Sequence, residues 1–171
     1  MTGQSVENLF ENRLAKCFEM LGFEVDNLGQ GRGRRPDGIA KNEKDRYAII
    51  YDAKSTEDSF SLNTAQERKF QDYINREVPK LRRQGFQNVY FAVISSEFDG
   101  EAKEVIKSLK IDTDIQEVLL MEAEALLKIL EKDLRDVEFD LGSGYDRAGF
   151  QDILTESGIL DTGKVQEELG V

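Results

Sequence analysis

The sequence predicts an α/β sandwich built around a central mixed β-sheet, and three observations carry that prediction. Residues 36–54 contain two strand-forming runs on either side of a short polar loop, as in a β-hairpin. Residues 88–95 are apolar at successive positions, as in a central strand that is buried on both faces. Amphipathic helix patterns precede, separate and follow these strands, which is typical of helices packed against a sheet.

The N-terminal elements are a helix and an extended segment. Apolar residues at helical spacing predict an amphipathic helix over residues 5–21, with Ser5 as its N-cap and Gly22 at its C-terminal end. Residues 23–26 are expected to be extended. The hairpin then begins at Pro36, because proline is unfavourable inside a helix.

A long helix is predicted to begin near Asn63, after the polar connection that follows the hairpin. Proline lacks a backbone N–H, and its ring clashes with the preceding helical turn. We therefore expect Pro79 to interrupt this helix or to begin a shorter one that ends at Gly85. The remaining elements are predicted in order as a helix over 100–110, a strand over 116–120, a helix over 122–134, and a loop with short helices, the last over 163–169.

Length and composition suit a single cytoplasmic domain, residues 1–171. No apolar run approaches the roughly 20 residues of a membrane helix, and the polar N-terminus contains no signal-peptide core. One cysteine, Cys17, excludes a disulfide framework and a multi-cysteine zinc site. We expect an intracellular protein with no membrane partner.

The chain contains no histidine. This absence excludes Ser-His-Asp hydrolases, papain-like proteases, HNH nucleases and nearly every zinc enzyme. Hydrolytic chemistry in this chain has to rely on carboxylates, lysine and an ion that prefers oxygen ligands.

The net charge of −11 is unfavourable for nucleic-acid binding, because phosphate contacts usually need basic residues. The charge is unevenly distributed, however. Residues 1–96 carry 15 Lys and Arg against 14 Asp and Glu, whereas residues 97–171 carry 8 against 20. The acidic surplus therefore lies away from the hairpin, although the intrinsic affinity for DNA is expected to be weak.

Two aspartates and a lysine lie at one end of the predicted hairpin. Neighbouring strands are about 4.8 Å apart, so Asp37 and Asp52 can stand side by side. At about 4 Å their charges repel by roughly 4 kcal/mol at an effective dielectric constant near 20. Lys54 offsets part of this repulsion, and a divalent ion bound by oxygen atoms would offset the rest. Such a group predicts a metal-dependent hydrolase site, although Asp-x-Lys and Pro-Asp-Gly also occur as structural features.

These residues carry a resemblance to a known family. Pro36-Asp37, followed by Asp52-Ala53-Lys54, resembles the PD-(D/E)XK signature of restriction-endonuclease-like nucleases. With the flanking residues 29–35, the pattern is similar to the FokI-type cleavage-domain family of type IIS restriction enzymes. This resemblance implies a restriction-endonuclease-like three-layer α/β/α sandwich.

The family pattern also implies the roles of the hairpin residues. Magnesium, or manganese in its place, would be held by Asp37, Asp52 and the Ala53 carbonyl. Lys54 would position the attacking water, and cleavage would leave a 5′-phosphate and a 3′-hydroxyl.

Many nucleases of this superfamily place a glutamate on the first helix, pointing toward the metal. Glu11 is the best match here and Glu7 is second. The alternative for Glu11 is an ordinary solvated side chain.

DNA contacts are expected from a basic loop and from the long helix. The glycine-rich loop before Asp37 carries three arginines that could contact backbone phosphates, although a merely solvated loop is the alternative. In this family a glutamine of the long helix lies near the site and the DNA, and Gln66 matches it. The predicted DNA-contacting residues are Arg32, Arg34, Arg35 and Gln66.

The same helix helps to form the cleavage dimer in this family. Arg68 and Asp72 lie four residues apart, so across a two-fold axis each arginine can face the aspartate of the other subunit. The alternative is an ordinary pair within one helix, worth a few tenths of a kcal/mol.

We therefore predict a divalent-metal-dependent DNA endonuclease of the type IIS cleavage-domain kind, found in bacteria or archaea. Its partners would be double-stranded DNA, a second copy of itself, and a separate recognition domain or subunit, for which the chain has no room. Two alternatives stay open: a structure-specific nuclease of the Holliday-junction-resolvase type, and a non-catalytic DNA-binding or assembly module.

Overall fold

A computed structural model describes residues 5–29, 35–55, 59–139, 144–154, 156 and 158–170, without the side chains of residues 144–147. Six strands and six helices occupy this part of the chain. In order they are α1 (Val6–Met20), β1 (Glu24–Asn27), β2 (Gly38–Asn42), β3 (Tyr47–Lys54), α2 (Thr64–Arg83), β4 (Asn88–Ser95), α3 (Lys103–Asp112), β5 (Glu117–Glu122), α4 (Ala123–Arg135), α5 (Gly144–Ile153), β6 (Ile159–Leu160) and α6 (Thr162–Leu169).

The strands form one mixed sheet in the order β1-β2-β3-β4-β5-β6. The first three strands pair antiparallel, and β3 to β6 pair parallel. In the β2–β3 hairpin Gly38 is opposite Tyr51. Because antiparallel register advances one residue at a time on each strand, Asp37 and Asp52 follow as the next opposed pair.

Helices cover both faces of the sheet and create two separate apolar cores. On one face, buried residues of α1, α4, α5 and α6 pack against β2 to β6. On the other face, α2 and α3 pack against the same sheet. The predicted α/β/α sandwich with a central mixed sheet is therefore confirmed.

The central strand β4 shows why the sheet needs helices on both sides. Its even and odd side chains point to opposite faces, as in any strand. Tyr90, Ala92 and Ile94 join the core beneath α1 and α4, whereas Phe91 and Val93 join the core beneath α2. Every residue of β4 after Asn88 is buried, as the continuous apolar run predicted.

Helix α1 begins and ends as its sequence predicts. The side chain of Ser5 accepts a hydrogen bond from the Asn8 N–H at 3.2 Å, which caps the first turn. Leu14 and Phe18 lie on the buried face. The chain leaves the helix through Gly22, whose φ of 93° is easily adopted only by glycine.

The predicted break at Pro79 is wrong, because α2 continues through it from Thr64 to Arg83. Pro79 is exposed, while Val78 and Leu81 on either side of it are buried against the sheet. Burying two such side chains contributes roughly 1.5–3 kcal/mol each, which offsets the cost of about 3 kcal/mol for proline inside a helix.

The C-terminal part contains one strand that the sequence pattern did not indicate. The two-residue strand β6 extends the sheet beside β5, with Leu160 opposite Met121. Two residues are too few to show an alternating pattern, so this strand exists only because β5 offers a free edge. The helices α5 and α6 agree with the predicted short C-terminal helices. Within the described residues, no helix is long and apolar enough to cross a membrane.

Candidate active site

The predicted catalytic residues meet where β3 ends and β2 begins. The Asp37 N–H donates to the Tyr51 carbonyl at 3.1 Å, and this bond extends the hairpin by one residue beyond Gly38. Asp52 and Lys54 lie at the C-terminal end of β3, and because side chains alternate along a strand they lie on the same face. The hairpin thereby delivers two aspartates and a lysine to one edge of the sheet.

The Asp37 carboxylate is held by the backbone of β3. Its Oδ2 accepts a hydrogen bond from the Ala53 N–H at 2.6 Å. In an extended strand the N–H and C=O of one residue point toward the same neighbouring strand. The Ala53 carbonyl therefore faces the Asp37 side of β3, which is the direction required by its predicted role as a ligand.

Asp52 and Lys54 form a largely buried ion pair. Lys54 Nζ lies 2.8 Å from Asp52 Oδ2, with side-chain exposures of 19% and 2% respectively. The approach lacks the alignment of a hydrogen bond, so Asp52 Oδ2 has no hydrogen-bond partner among the described residues. This buried oxygen pairs with the Lys54 ammonium but makes no hydrogen bond among the described residues, so it can also serve as a ligand of a bound cation.

Glu11 reaches this cluster from α1. It is half-buried, whereas Glu7 one turn earlier is exposed, so the structure favours Glu11 as the first-helix glutamate. Its Oε2 packs on Gly29, where a Cβ atom would lie only 2.2 Å away, and the same Cβ would be 3.3 Å from Asp37 Oδ1. Because glycine has no side chain, the carboxylates of Glu11 and Asp37 can both lie against the backbone of Gly29.

Burial and crowding of like charges raise the pKa values of two acids in the cluster. Burial, followed by the charge of Asp52, raises the pKa of Asp37 to about 7, against the opposing effects of the Ala53 N–H and Lys54. Burial and the charge of Glu7 also raise the pKa of Glu11. One lysine therefore does not offset full ionisation of the cluster, and these two acids retain protons to a higher pH than ordinary carboxyl groups do.

The arrangement fits a hard divalent ion whose remaining ligands are a backbone carbonyl, water and phosphate oxygens. No group of three or more Asp, Glu or Cys side chains that could hold a metal is found in the part of the chain that the structure describes. Asp37 and Asp52 would have to be completed by the Ala53 carbonyl, water and phosphate oxygens. Oxygen donors of this kind suit magnesium, which commonly binds through one or two carboxylates and substrate phosphates.

Ser95 is a site residue that the sequence pattern did not reveal. It lies opposite Lys54 in the parallel β3–β4 ladder and is fully buried. Its hydroxyl donates to the Lys54 carbonyl at 3.0 Å, which fixes the end of β3. The polar residue at the end of an otherwise apolar strand was the available signal.

The predicted DNA-contacting residues are only partly described. Arg32 and Arg34 lie outside the described residues. Arg35 is exposed and directly precedes the Pro36–Asp37 step. Gln66 lies in the first turn of α2, which Asn63 caps by accepting the Gln66 N–H at 3.0 Å. The Gln66 Oε1 atom is buried without a hydrogen-bond partner among the described residues.

The two predicted dimer residues share one face of α2. Arg68 and Asp72 are both exposed and line a surface hollow together with Ala65 and Lys69. Their accessibility is compatible with an interface, and it is equally compatible with an ordinary solvated helix face.

The sandwich fold and the carboxylate–lysine cluster together define a nuclease domain of the restriction-endonuclease-like class. The family model described as the FokI cleavage domain matches residues 1–146, so this chain belongs to the FokI cleavage-domain family. No curated protein matches the chain in sequence.

Solved structures support the same fold assignment. The structure of FokI bound to DNA superposes with a TM-score of 0.70 at 18% identity, covering 93% of this chain and 28% of FokI. Another FokI structure gives 0.65 at 20% identity, covering 74% of this chain and 24% of FokI. The small subunit of the heterodimeric restriction endonuclease R.BspD6I gives 0.54 at 17% identity, covering 95% of this chain and 87% of that subunit. The chain thus spans about a quarter of the length of the FokI chains it matches.

Proposed function

We propose that this chain hydrolyses phosphodiester bonds of double-stranded DNA with the help of a divalent metal ion, magnesium by preference and manganese as a substitute. The observation that carries the proposal is the cluster of Asp37, Asp52 and Lys54 at the end of the hairpin, where one lysine faces two carboxylates and the buried Asp52 Oδ2 atom makes no hydrogen bond among the described residues. Membership of a nuclease cleavage-domain family supports this chemistry.

Each residue of the cluster has a distinct task in this proposal. Asp37, Asp52 and the Ala53 carbonyl hold the ion, which when bound neutralises charge on the phosphate and makes water more acidic. The Ala53 N–H keeps Asp37 oriented at 2.6 Å. Lys54 positions the attacking water and stabilises the negative charge that develops in the transition state. Glu11 reaches the same region from α1 and acts through a water.

The proposed DNA contacts are the arginines that precede Asp37 and Gln66 on α2. If Arg32, Arg34 and Arg35 each neutralise one phosphate, the logarithm of the binding constant should fall with a slope near −2.7 against the logarithm of the salt concentration. Raising the salt concentration from about 50 to about 200 mM should then weaken binding about 40-fold. Binding that is indifferent to salt would contradict these contacts.

Plasmid cleavage tests the catalytic assignment. With magnesium, the wild-type protein should nick or linearise supercoiled DNA. Asp52→Asn and Lys54→Ala should each lower the rate at least about 100-fold, since each removes a charge that acts on the reacting phosphate. Lys107→Ala, an exposed lysine on α3, serves as a matched control. Wild-type rates in both active-site variants would refute the assignment.

Double-strand cleavage is proposed to need two copies of the chain, paired through Arg68 and Asp72. Linearisation should then rise faster than in proportion to protein concentration, and Arg68→Glu should reduce it more than it reduces single-strand nicking. A strictly proportional dependence down to low concentration would remove the dimer proposal.

We also propose that residues 1–171 form one cleavage domain and that another domain or subunit selects the DNA sequence. The family match favours this interpretation over a junction resolvase or a non-catalytic module. Measured alone, the chain should cut linear duplex without sequence preference. A marked preference for four-way junctions would favour the resolvase alternative instead. A cytoplasmic location in a bacterium or archaeon stays a prediction.

A further inference from the structure

Tyr51 places a hydroxyl group deep beside the acidic cluster. The residue directly precedes Asp52 on β3, its side chain is 1% exposed, and its ring stacks on Phe18 of α1 at 5.0 Å. The hydroxyl has no hydrogen-bond partner among the described residues. It lies against Gly38, where a Cβ atom would be 2.2 Å away, so the glycine makes room for it.

An unpartnered hydroxyl in this position calls for a reason. Burying a polar group without a hydrogen bond costs about 1–3 kcal/mol, and phenylalanine would fill the same space without that cost. Such a group takes its partner from a water, an ion or a side chain that comes into reach in another state of the site.

An acceptor that reaches the same side of the sheet from α1 is Glu11. Glu11 and Phe18 are seven residues apart and therefore lie on the same face of α1, and Phe18 is the residue that stacks on Tyr51. The Glu11 Oε2 atom is itself buried without a hydrogen-bond partner among the described residues. The Tyr51 hydroxyl and the Glu11 Oε2 atom, neither of which has a hydrogen bond among the described residues, thus occupy the same side of the sheet, while the Glu11 carboxyl also contacts that of Asp37.

Tyr51 also keeps its proton. A tyrosine hydroxyl ordinarily titrates at about pH 10, so it carries its proton at neutral pH. The group is therefore a hydrogen-bond donor throughout the pH range in which the protein would work.

We propose that Tyr51 is a positioning residue, whose hydroxyl donates to the Glu11 carboxylate when a divalent ion occupies the site and so holds Glu11 beside Asp37. This role rests on the proposed function, because it presumes that Glu11 faces a metal. Tyr51 lies on the face of β3 that is covered by α1, and the proposal adds it to the residues of the candidate active site.

Binding of Mn²⁺ to the protein without DNA, measured by calorimetry, tests the proposal. Tyr51→Phe removes only the hydroxyl and should weaken Mn²⁺ binding roughly 10- to 150-fold, the range expected for one hydrogen bond to a charged group. In a Glu11→Gln background the same substitution should have a much smaller effect, because the amide oxygen can accept only a weaker, neutral hydrogen bond. Tyr47→Phe, another buried tyrosine on the same face of β3, should leave Mn²⁺ affinity unchanged.

Urea unfolding in the presence of a chelator gives a second measurement, in which the proposal and a purely structural role predict different changes of the midpoint. Because the hydroxyl makes no hydrogen bond among the described residues, Tyr51→Phe should leave the unfolding midpoint in chelator unchanged or raise it. A purely structural hydroxyl would instead lower the midpoint. A lowered midpoint, an unchanged Mn²⁺ affinity, or an equal loss of affinity in the Glu11→Gln background would each overturn the proposal.

Asp52→Asn separates this proposal from the one on which it rests. If Asp52→Asn binds Mn²⁺ as tightly as the wild type, the metal site itself is wrong and the proposed function fails. If Asp52→Asn abolishes binding while Tyr51→Phe behaves as wild type, the metal site stands and only the role of Tyr51 is refuted.

Discussion

The raised pKa of Asp37 makes the stability of the metal-free protein depend on pH. An unfolded aspartate has a pKa near 3.8, whereas that of Asp37 in the folded, metal-free protein is about 7. Between these values the folded state binds the proton more tightly, so the free energy of unfolding falls as pH rises. The contribution of Asp37 is fully present below about pH 4 and is lost as pH rises through about 7.

The size of this effect follows from the two pKa values. A tenfold change in an acid dissociation constant corresponds to about 1.4 kcal/mol, so Asp37 accounts for at most about 4 kcal/mol between pH 4 and pH 8. For a chain of this length, 1 kcal/mol changes the melting temperature by roughly 2–4 °C.

Asp37→Asn isolates the contribution of this one group. The amide keeps an oxygen that can accept the Ala53 N–H, but it cannot ionise. In urea unfolding with EDTA, the variant should become more stable relative to the wild type as pH rises, by up to about 4 kcal/mol at pH 8. Millimolar Mg²⁺ should stabilise the wild type at pH 8 and leave Asp37→Asn largely unaffected.

The reasoning has a clear control and a clear refutation. Asp114, with a side chain that is 80% exposed, provides an Asp→Asn substitution outside the cluster, and its curve should run parallel to that of the wild type. If Asp37→Asn also runs parallel to the wild type from pH 4 to pH 8, then Asp37 is not a buried acid held among like charges.

Three further substitutions test the scaffold by urea unfolding. Ser95→Ala removes the donor to the Lys54 carbonyl and should cost about 1–3 kcal/mol and slow plasmid cleavage; an unchanged midpoint would show that this bond is unimportant. Pro79→Ala restores a backbone donor within α2 and should stabilise by about 1–3 kcal/mol, so a loss of stability would contradict the continuous helix. Phe70→Ala empties a fully buried position and should cost about 3–5 kcal/mol, and a loss below 1 kcal/mol would place Phe70 outside the core.

Local patterns were sufficient for most of the elements. The apolar spacing over 5–21 gave the correct helix, because one face of that helix is buried and the other is solvated. Within residues 88–95 the unbroken run of apolar and aromatic residues at 89–94 identified the central strand, since only a strand covered on both faces excludes strongly polar residues from both sets of positions. The hairpin and its two aspartates were predictable because antiparallel register is set by a short loop.

Other features depend on contacts between residues that are distant in sequence. Pro79 was predicted to break α2 on local grounds, yet burial on both sides of it keeps the helix continuous. Strand β6 exists because β5 has an edge to pair with. Neither outcome can be read from a window of neighbouring residues.

For the candidate site, the sequence by itself determined the chemistry: two aspartates and a lysine at hairpin spacing, with no histidine to offer another route. The tertiary structure decided their environment. Packing of α1 against the sheet brought Glu11 onto Gly29 beside Asp37. Burial, followed by the charge of Asp52 and then by that of Glu11, raises the pKa of Asp37. The same packing enclosed the Tyr51 hydroxyl and left it without a partner among the described residues. Desolvation and charge proximity are properties of the folded surroundings, which no motif encodes.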